Sequence, residues 1–286
     1  MLKESTIQLL RFHFSFFLMP VYFFALSQAP QINWLDAVAI FFILHGLVYP
    51  ASNGYNSYMD RDDTPIGGIE NPMQPTKELF WVTVVMDIVA VLLSLLISTV
   101  FALGVIAYIA ASRAYSYRGI RLKKYPIIGF ITVLLFQGTL VFFLVYHGAS
   151  TDKLMLAPTY AMAAAGLLMG SFYPLTQVYQ HEFDRKDGVL TLSMLLGIRG
   201  TFIFTAIIYA AAMLFLLNYF SSKNQIENFI WLSIFLLPVL VYFFIWLYQV
   251  WKDPRQADFK HTMRMNLLAS FCSNLAFLSI LIGRFL

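Results

Sequence analysis

The sequence predicts an all-α, polytopic membrane protein: nine transmembrane helices, an internal repeat, and an N-terminus in the cytoplasm. Three observations carry that expectation. Of 286 residues, 59% are hydrophobic and only 12% charged, against about 25% charged in a soluble domain. Apolar runs long enough to cross a bilayer core of ~30 Å recur along the whole chain. Basic side chains gather on one side of those runs. With a mean hydropathy of +0.71, the pI near 9.0 records membrane topology and not nucleic-acid binding. The single cysteine, Cys272, lies in an apolar run and reads as a small buried hydrophobe.

The expected spans are 9–29, 34–55, 78–98, 100–116, 126–147, 155–178, 197–219, 228–250 and 265–285. The first is interrupted by Arg11, His13 and Pro20. It has no small-residue cleavage site, so it reads as a span and not as a removed signal peptide. Residues 78–116 would cross the bilayer twice at ~1.5 Å per residue, so the tight uncharged turn near residue 99 joins two spans. This order puts all but Lys153, Lys223 and Arg284 of the 19 basic residues on the face of the N-terminus. Positive-inside bias then makes that face cytoplasmic. The whole chain, 1–286, reads as one domain, with repeat halves near 9–125 and 126–250 and a ninth helix at 265–285.

The repeat appears when Tyr49 is laid over Tyr173. Tyr49, Pro50, Tyr55, Asp60, Arg61 and Asp63 then meet Tyr173, Pro174, Tyr179, Asp184, Arg185 and Asp187, and Asn53 and Asn56 face Gln177 and Gln180. Chance similarity of apolar helices would match Leu or Phe, not this polar set. Residues spaced i, i+3 and i+7 share a helical face, so Asn53, Asn56 and Asp60 form one stripe, and Gln177, Gln180 and Asp184 another. Such groups are expensive against lipid and should face a polar cavity. Two carboxylate clusters on one face suit Mg²⁺, which binds one or two carboxylates together with phosphate oxygens. The bland alternative is solvated loop charge. Between the copies lie Arg113, Arg118, Arg121, Lys123 and Lys124, a topogenic loop by itself and a diphosphate clamp beside two acidic clusters.

On these residues the chain resembles the UbiA superfamily of intramembrane prenyltransferases. The family's first motif runs Asn-Asp-x-x-Asp-x-x-x-Asp; Asn56 and Asp60 match it, while Ser57 and Thr64 depart from it. The second, Asp-x-x-x-Asp, reads Gln180-x-x-x-Asp184, followed by Gly188 and Thr191-Leu192, with Glu182 and Asp187 as substitute ligands. The resemblance implies Mg²⁺-dependent transfer of a prenyl group from an allylic diphosphate to a hydrophobic acceptor, with diphosphate released. Its implied roles are Asn56, Asp60 and Asp184 in catalysis, and Asn56, Asp60, Asp63, Asp184 and Asp187 at the metal. Asn53, Gln180, Arg121, Lys123 and Lys124 would bind substrate, with Arg61 and Arg185 in support.

The implied partners are a polyprenyl diphosphate, a hydrophobic acceptor and membrane lipids, and the expected home is a bacterial inner membrane. Two other functions fit the same chain: a family member that binds isoprenoid lipids without catalysis, and a small-molecule or lipid transporter. The transporter expects charges at the bilayer midplane, where this sequence has few. A CDP-alcohol phosphotransferase would carry Asp-Gly-x-x-Ala-Arg, which is absent. Asp87, in mid-span, must face the interior, in a structural bond or an acceptor contact. His45, Gln137 and Asn274 read as interhelical hydrogen-bond partners.

Overall fold

The computed structural model describes residues 2–285. Among them the only extended pairings are two isolated bridges, Ile32 with Ser150 and Ile66 with Ile69. The chain starts with α1 (Glu4–Leu10), a 3-10 segment Phe12–Phe17, and α2 (Met19–Gln28). Together these form an apolar stretch bent by 43°. Pro20 falls in the first turn of α2, where its missing N–H has no helical partner to lose. Next come α3 (Trp34–Asp60), α4 (Lys77–Ile97), α5 (Thr99–Ser116) and α6 (Pro126–Ala149). The remainder is α7 (Thr159–Phe172), the short α8 (His181–Lys186), α9 (Leu192–Ser222), α10 (Ile226–Lys252) and α11 (Phe259–Gly283).

Seven of these helices are long and apolar enough to cross a membrane, and the bent N-terminal pair brings the number to eight if it is counted as one span. The expected sixth span, 155–178, forms the 14-residue α7 and then tightens into a 3-10 turn, Tyr173–Gln177. Pro174 explains the change, because a proline inside a helix loses one bond and clashes with the preceding turn.

Caps fix the other boundaries. Asn33 accepts from Leu35 and Asp36 N–H, Ser98 from Phe101 N–H, and Asp258 from His261 N–H. Ser98 also separates α4 from α5, as the sequence predicted. Within α9 the chain kinks at Gly197, whose φ of +68° is open to glycine at little cost.

Small residues and paired charges hold the bundle. A Cβ on Gly138 would lie 2.5 Å from Gly166 Cα, so α6 and α7 touch backbone to backbone. Phe24 of α2 stacks on Phe277 of α11 with ring centroids 4.5 Å apart. Arg113 of α5 closes an ion pair with Asp87 of α4 and lies 3.9 Å from the Tyr55 ring centroid. Asp87 therefore has a structural partner, one of the two roles open to it. Large apolar side chains such as Leu35, Leu96, Leu156 and Ile207 cover the outside, as a lipid-facing surface requires.

Candidate active site

The helices enclose a cavity of about 300 Å³ with two chemically distinct ends. At one end stand Asn53, Asn56, Asp60 and Asp62 from the first copy of the repeat, and Gln177, Gln180 and Asp184 from the second. The two copies thus open into one chamber. Away from this mouth the wall carries no charged side chain and is mostly apolar, with Phe24, Phe136, Phe172, Leu236 and Phe277.

The mouth owes its shape to the ends of three elements. α3 runs straight to Asp60 because a wider, π-helical turn, Phe42–Val48, comes just before Pro50. Such a local adjustment re-satisfies the backbone groups that proline frees. Asp60 is buried, and its carboxylate is in ion-pair contact with Lys123 and lies 3.5 Å from Arg121. Asn56 Nδ2 donates to Asp60 Oδ2 at 2.9 Å and to Ser116 Oγ at 3.0 Å. Arg121 also pairs with Asp187, which Arg118 approaches to 3.6 Å.

Asp62 and Asp184 differ from Asp60. Among the described residues no lysine or arginine nitrogen lies within 4.0 Å of either. Burial pushes the Asp62 carboxyl up to about 7; the nearby Asp60 charge adds to this, and Lys123 and Arg11 oppose it. Burial likewise raises Asp184 to about 6, with Lys123 opposing and Asp60 and Asp187 adding. The mouth therefore holds two carboxyls whose negative charge lacks a direct partner.

A loop roofs this end. Arg11 donates to Gly67 O at 3.3 Å and to Asn53 O at 3.1 Å. Gln180 Nε2 donates to Pro65 O at 3.3 Å, and Gly68 N–H meets Met263 Sδ at 3.3 Å. Lower on the wall, the hydroxyls of Tyr115 and Tyr173 pair with each other.

Of the residues nominated from sequence, Asn53, Asn56, Asp60, Lys123, Gln180 and Asp184 line the cavity. Arg121 and Asp187 stand just behind that wall as an ion pair. Asp63 is exposed, and Asp62 takes the place at the wall. Arg61, in the left-handed region at φ +55°, turns the chain after α3 so that the neighbouring carboxylate points inward. Arg61 itself lies over the Tyr58 ring, Lys124 over Tyr125, and Arg185 is exposed; none lines the cavity. Glu182 is exposed and bonds Lys186 at 2.9 Å. The second stripe is not one continuous helix: Gln177 ends the 3-10 turn, and Asp184 belongs to α8.

Sequence reasoning passed over two wall residues. Arg11, which in the sequence only interrupts the first span, clamps the backbone carbonyls of Asn53 and Gly67. Asp62 was hidden by its neighbour Asp63.

Among the described residues no three acidic, histidine or cysteine side chains converge closely enough to cage a metal alone. Asp60, Asp62 and Asp184 nevertheless share one mouth with a single lysine. That donor set fits a Mg²⁺ bound by one or two carboxylates that completes its shell with diphosphate oxygens and water.

Fold and site define an all-helical membrane protein with one amphiphilic chamber, charged at the mouth and apolar within. The chain belongs to the UbiA prenyltransferase family, whose model matches residues 17–268. A UbiA homologue from Archaeoglobus fulgidus, solved with DMAPP and Mg²⁺, superposes with a TM-score of 0.73 at 18% identity, covering 97% of this chain and 99% of that one. An apo UbiA homologue from Aeropyrum pernix K1 gives 0.71 at 19% identity, covering 96% and 98%. A digeranylgeranylglyceryl phosphate synthase gives 0.61 at 16% identity, covering 98% and 97%. No curated protein matches the chain.

Proposed function

We propose that this protein transfers a prenyl group from an allylic diphosphate to a hydrophobic acceptor inside the membrane, in a Mg²⁺-dependent reaction. The observation that carries the reading is the single chamber shared by both motif copies, acidic and basic at one end and apolar at the other. An allylic diphosphate has the same polarity along its length. The Archaeoglobus homologue bound to DMAPP and Mg²⁺, and the same homologue bound to GPP and Mg²⁺, support the match.

In the reaction the C1–O bond of the allylic diphosphate breaks and its electron pair leaves with diphosphate. A new bond forms between C1 and the acceptor, which gives up a proton. Asp60, Asp62, Asp184 and Asn56 would hold Mg²⁺, and the metal would offset charge on the departing diphosphate. Lys123 and Arg121, now paired with carboxylates, would turn part of their charge to the same oxygens, an electrostatic stabilisation strongest where water is excluded. Phe24, Phe136, Phe172 and Phe277 keep water from the allylic cation and offer it aromatic faces.

The same reading has nine passages, with α7 and its 3-10 turn as the sixth. The N-terminus and the mouth lie on the basic, cytoplasmic side, in a bacterial inner membrane.

The test uses purified protein in nanodiscs, Mg²⁺, and geranyl, farnesyl or geranylgeranyl diphosphate with pooled aromatic and lipid acceptors. Mass spectrometry should find a prenylated product and Mg²⁺-dependent diphosphate release. Tight binding of the diphosphates without product under any acceptor would leave a lipid-binding protein without transfer. No binding would overturn the reading.

A further inference from the structure

The last helix carries a polar stripe that the mouth chemistry does not use. Met263, Asn266, Ser270, Ser273 and Phe277 all line the cavity, and their spacing of three and four places them on one face of α11. Its two ends are fixed. Met263 receives the Gly68 N–H from the roof loop, and Phe277 stacks on Phe24 at the apolar end. The stripe thus runs the length of the chamber, about 21 Å at ~1.5 Å per residue from Met263 to Phe277.

Its polar groups have no protein partners. Asn266 and Ser270 are only 7% and 5% exposed, yet neither side chain hydrogen-bonds to any described residue, and Ser273 makes no such bond either. Most buried serines elsewhere in these helices behave differently, Ser57 being an exception. Ser27, Ser94, Ser171, Ser233 and Ser279 each return the hydroxyl to a carbonyl of their own helix at 2.6–2.8 Å. Tyr209 of α9, also in the cavity wall, has a buried hydroxyl that lacks a partner. A polar group left unpaired inside a membrane protein costs free energy unless something else meets it.

These donors and acceptors are all uncharged. The cationic side chains in the cavity wall are Arg11 and Lys123, both at the mouth and both engaged. Arg264, next to the stripe in sequence, is exposed, and His261 bonds Asp258. A carboxylate or phosphate on this wall would have no counter-charge, whereas a hydroxyl or carbonyl would find an amide and three hydroxyls.

We propose that Asn266, Ser270, Ser273 and Tyr209 form the acceptor subsite, and that it takes a neutral, oxygen-bearing acceptor such as a phenol or an alcohol. The assignment rests on the transfer reading above. It adds the chemical class of the acceptor and places the specificity in α11, most of which lies beyond the family match that ends at residue 268.

The probe is 2-naphthol, with 6-hydroxy-2-naphthoate as its charged counterpart, titrated by fluorescence against the full chain in nanodiscs and corrected with empty discs. Binding of geranyl thiodiphosphate with Mg²⁺ is measured separately. The native chain should bind 2-naphthol saturably, and at least about tenfold more tightly than the naphthoate. Asn266→Leu with Ser270→Ala should weaken 2-naphthol by about tenfold and leave the thiodiphosphate unchanged. Tyr209→Phe, which opens no void, should weaken 2-naphthol by about threefold or more, and serves if the double variant does not fold. No saturable naphthol binding, equal or tighter naphthoate binding, or variants that bind like the native chain would each overturn the subsite. Failure of the thiodiphosphate to bind, with naphthol binding intact and sensitive to these residues, would strike the transfer reading and spare the subsite.

Discussion

The two motif copies share Tyr, Pro, Tyr, Asp and Arg in register, yet the chain folds them differently. After Tyr49-Pro50 the backbone continues as α-helix to Asp60; after Tyr173-Pro174 it tightens, turns, and starts again as the six-residue α8. The π-helical turn before Pro50 absorbs the lost hydrogen bond, and α7 has no equivalent before Pro174. The electrostatics diverge as well. Asp60 is buried against Lys123, while Asp184 has no cation within ion-pair distance and is raised to about 6. The protein thus neutralises Asp60 with Lys123 and Asp187 with Arg121, whereas Asp62 and Asp184, one from each copy, have no such partner. Sequence repetition here fixes which groups reach the chamber, not how tightly the protein itself holds them.

Asp60→Asn should break this contrast most severely. It removes a cavity carboxylate and strands Lys123 in a site where that lysine is 13% exposed. Losing one member of a buried pair costs about 3–5 kcal/mol, so thermal unfolding in detergent should shift sharply downward. Diphosphate release should fall by about 100-fold or more. Asp184→Asn should lower diphosphate release by a similar ~100-fold without lowering the unfolding temperature, and should raise it above about pH 6. An equal loss of stability in both variants would erase the distinction between the copies.

The third expectation concerns pH. Asp62 and Asp184 have raised values, about 7 and about 6, so the folded chain without ligand favours their protonated forms. Their contribution to stability is fully present in acid and is lost as pH rises through 6 to 7. Binding of Mg²⁺ with geranyl thiodiphosphate needs the charged forms, so affinity should rise from about pH 5 to about pH 8, with protons released near pH 6. Calorimetry in two buffers of different ionisation enthalpy measures that release, and Asp62→Asn should remove the upper part of the rise.

The smallest effect should come from Gln180→Ala. It deletes one hydrogen bond between the second copy and the roof loop at Pro65. Such a bond contributes about 0.5–1.5 kcal/mol, so KM for the diphosphate should rise about two- to tenfold with kcat little changed. A large fall in kcat instead would place Gln180 at the reacting atoms.

Much of this site was legible in the sequence because polar residues inside apolar spans are few and must share a face. Asn53, Asn56 and Asp60 could be placed on one stripe from spacing alone, and Lys123 from its place between the copies. Helix spacing stops being informative where the helix ends. The sequence could not choose between Asp62 and Asp63, because the choice depends on the left-handed turn at Arg61. Nor could it show that Gln177 and Asp184 reach the wall from separate segments. Arg11 gives no site signal in the sequence for a related reason: its partners are backbone carbonyls of Asn53 and Gly67, and a carbonyl leaves no trace in residue type.

The central claim is that the charged mouth receives a diphosphate and the apolar chamber its prenyl chain. Its most direct test is diphosphate release from geranyl diphosphate by the native chain and by Asp184→Asn, each with Mg²⁺ and with EDTA. The account predicts release from the native chain only with Mg²⁺, and near-background release from the folded variant. Release that ignores both the metal and Asp184 would contradict it.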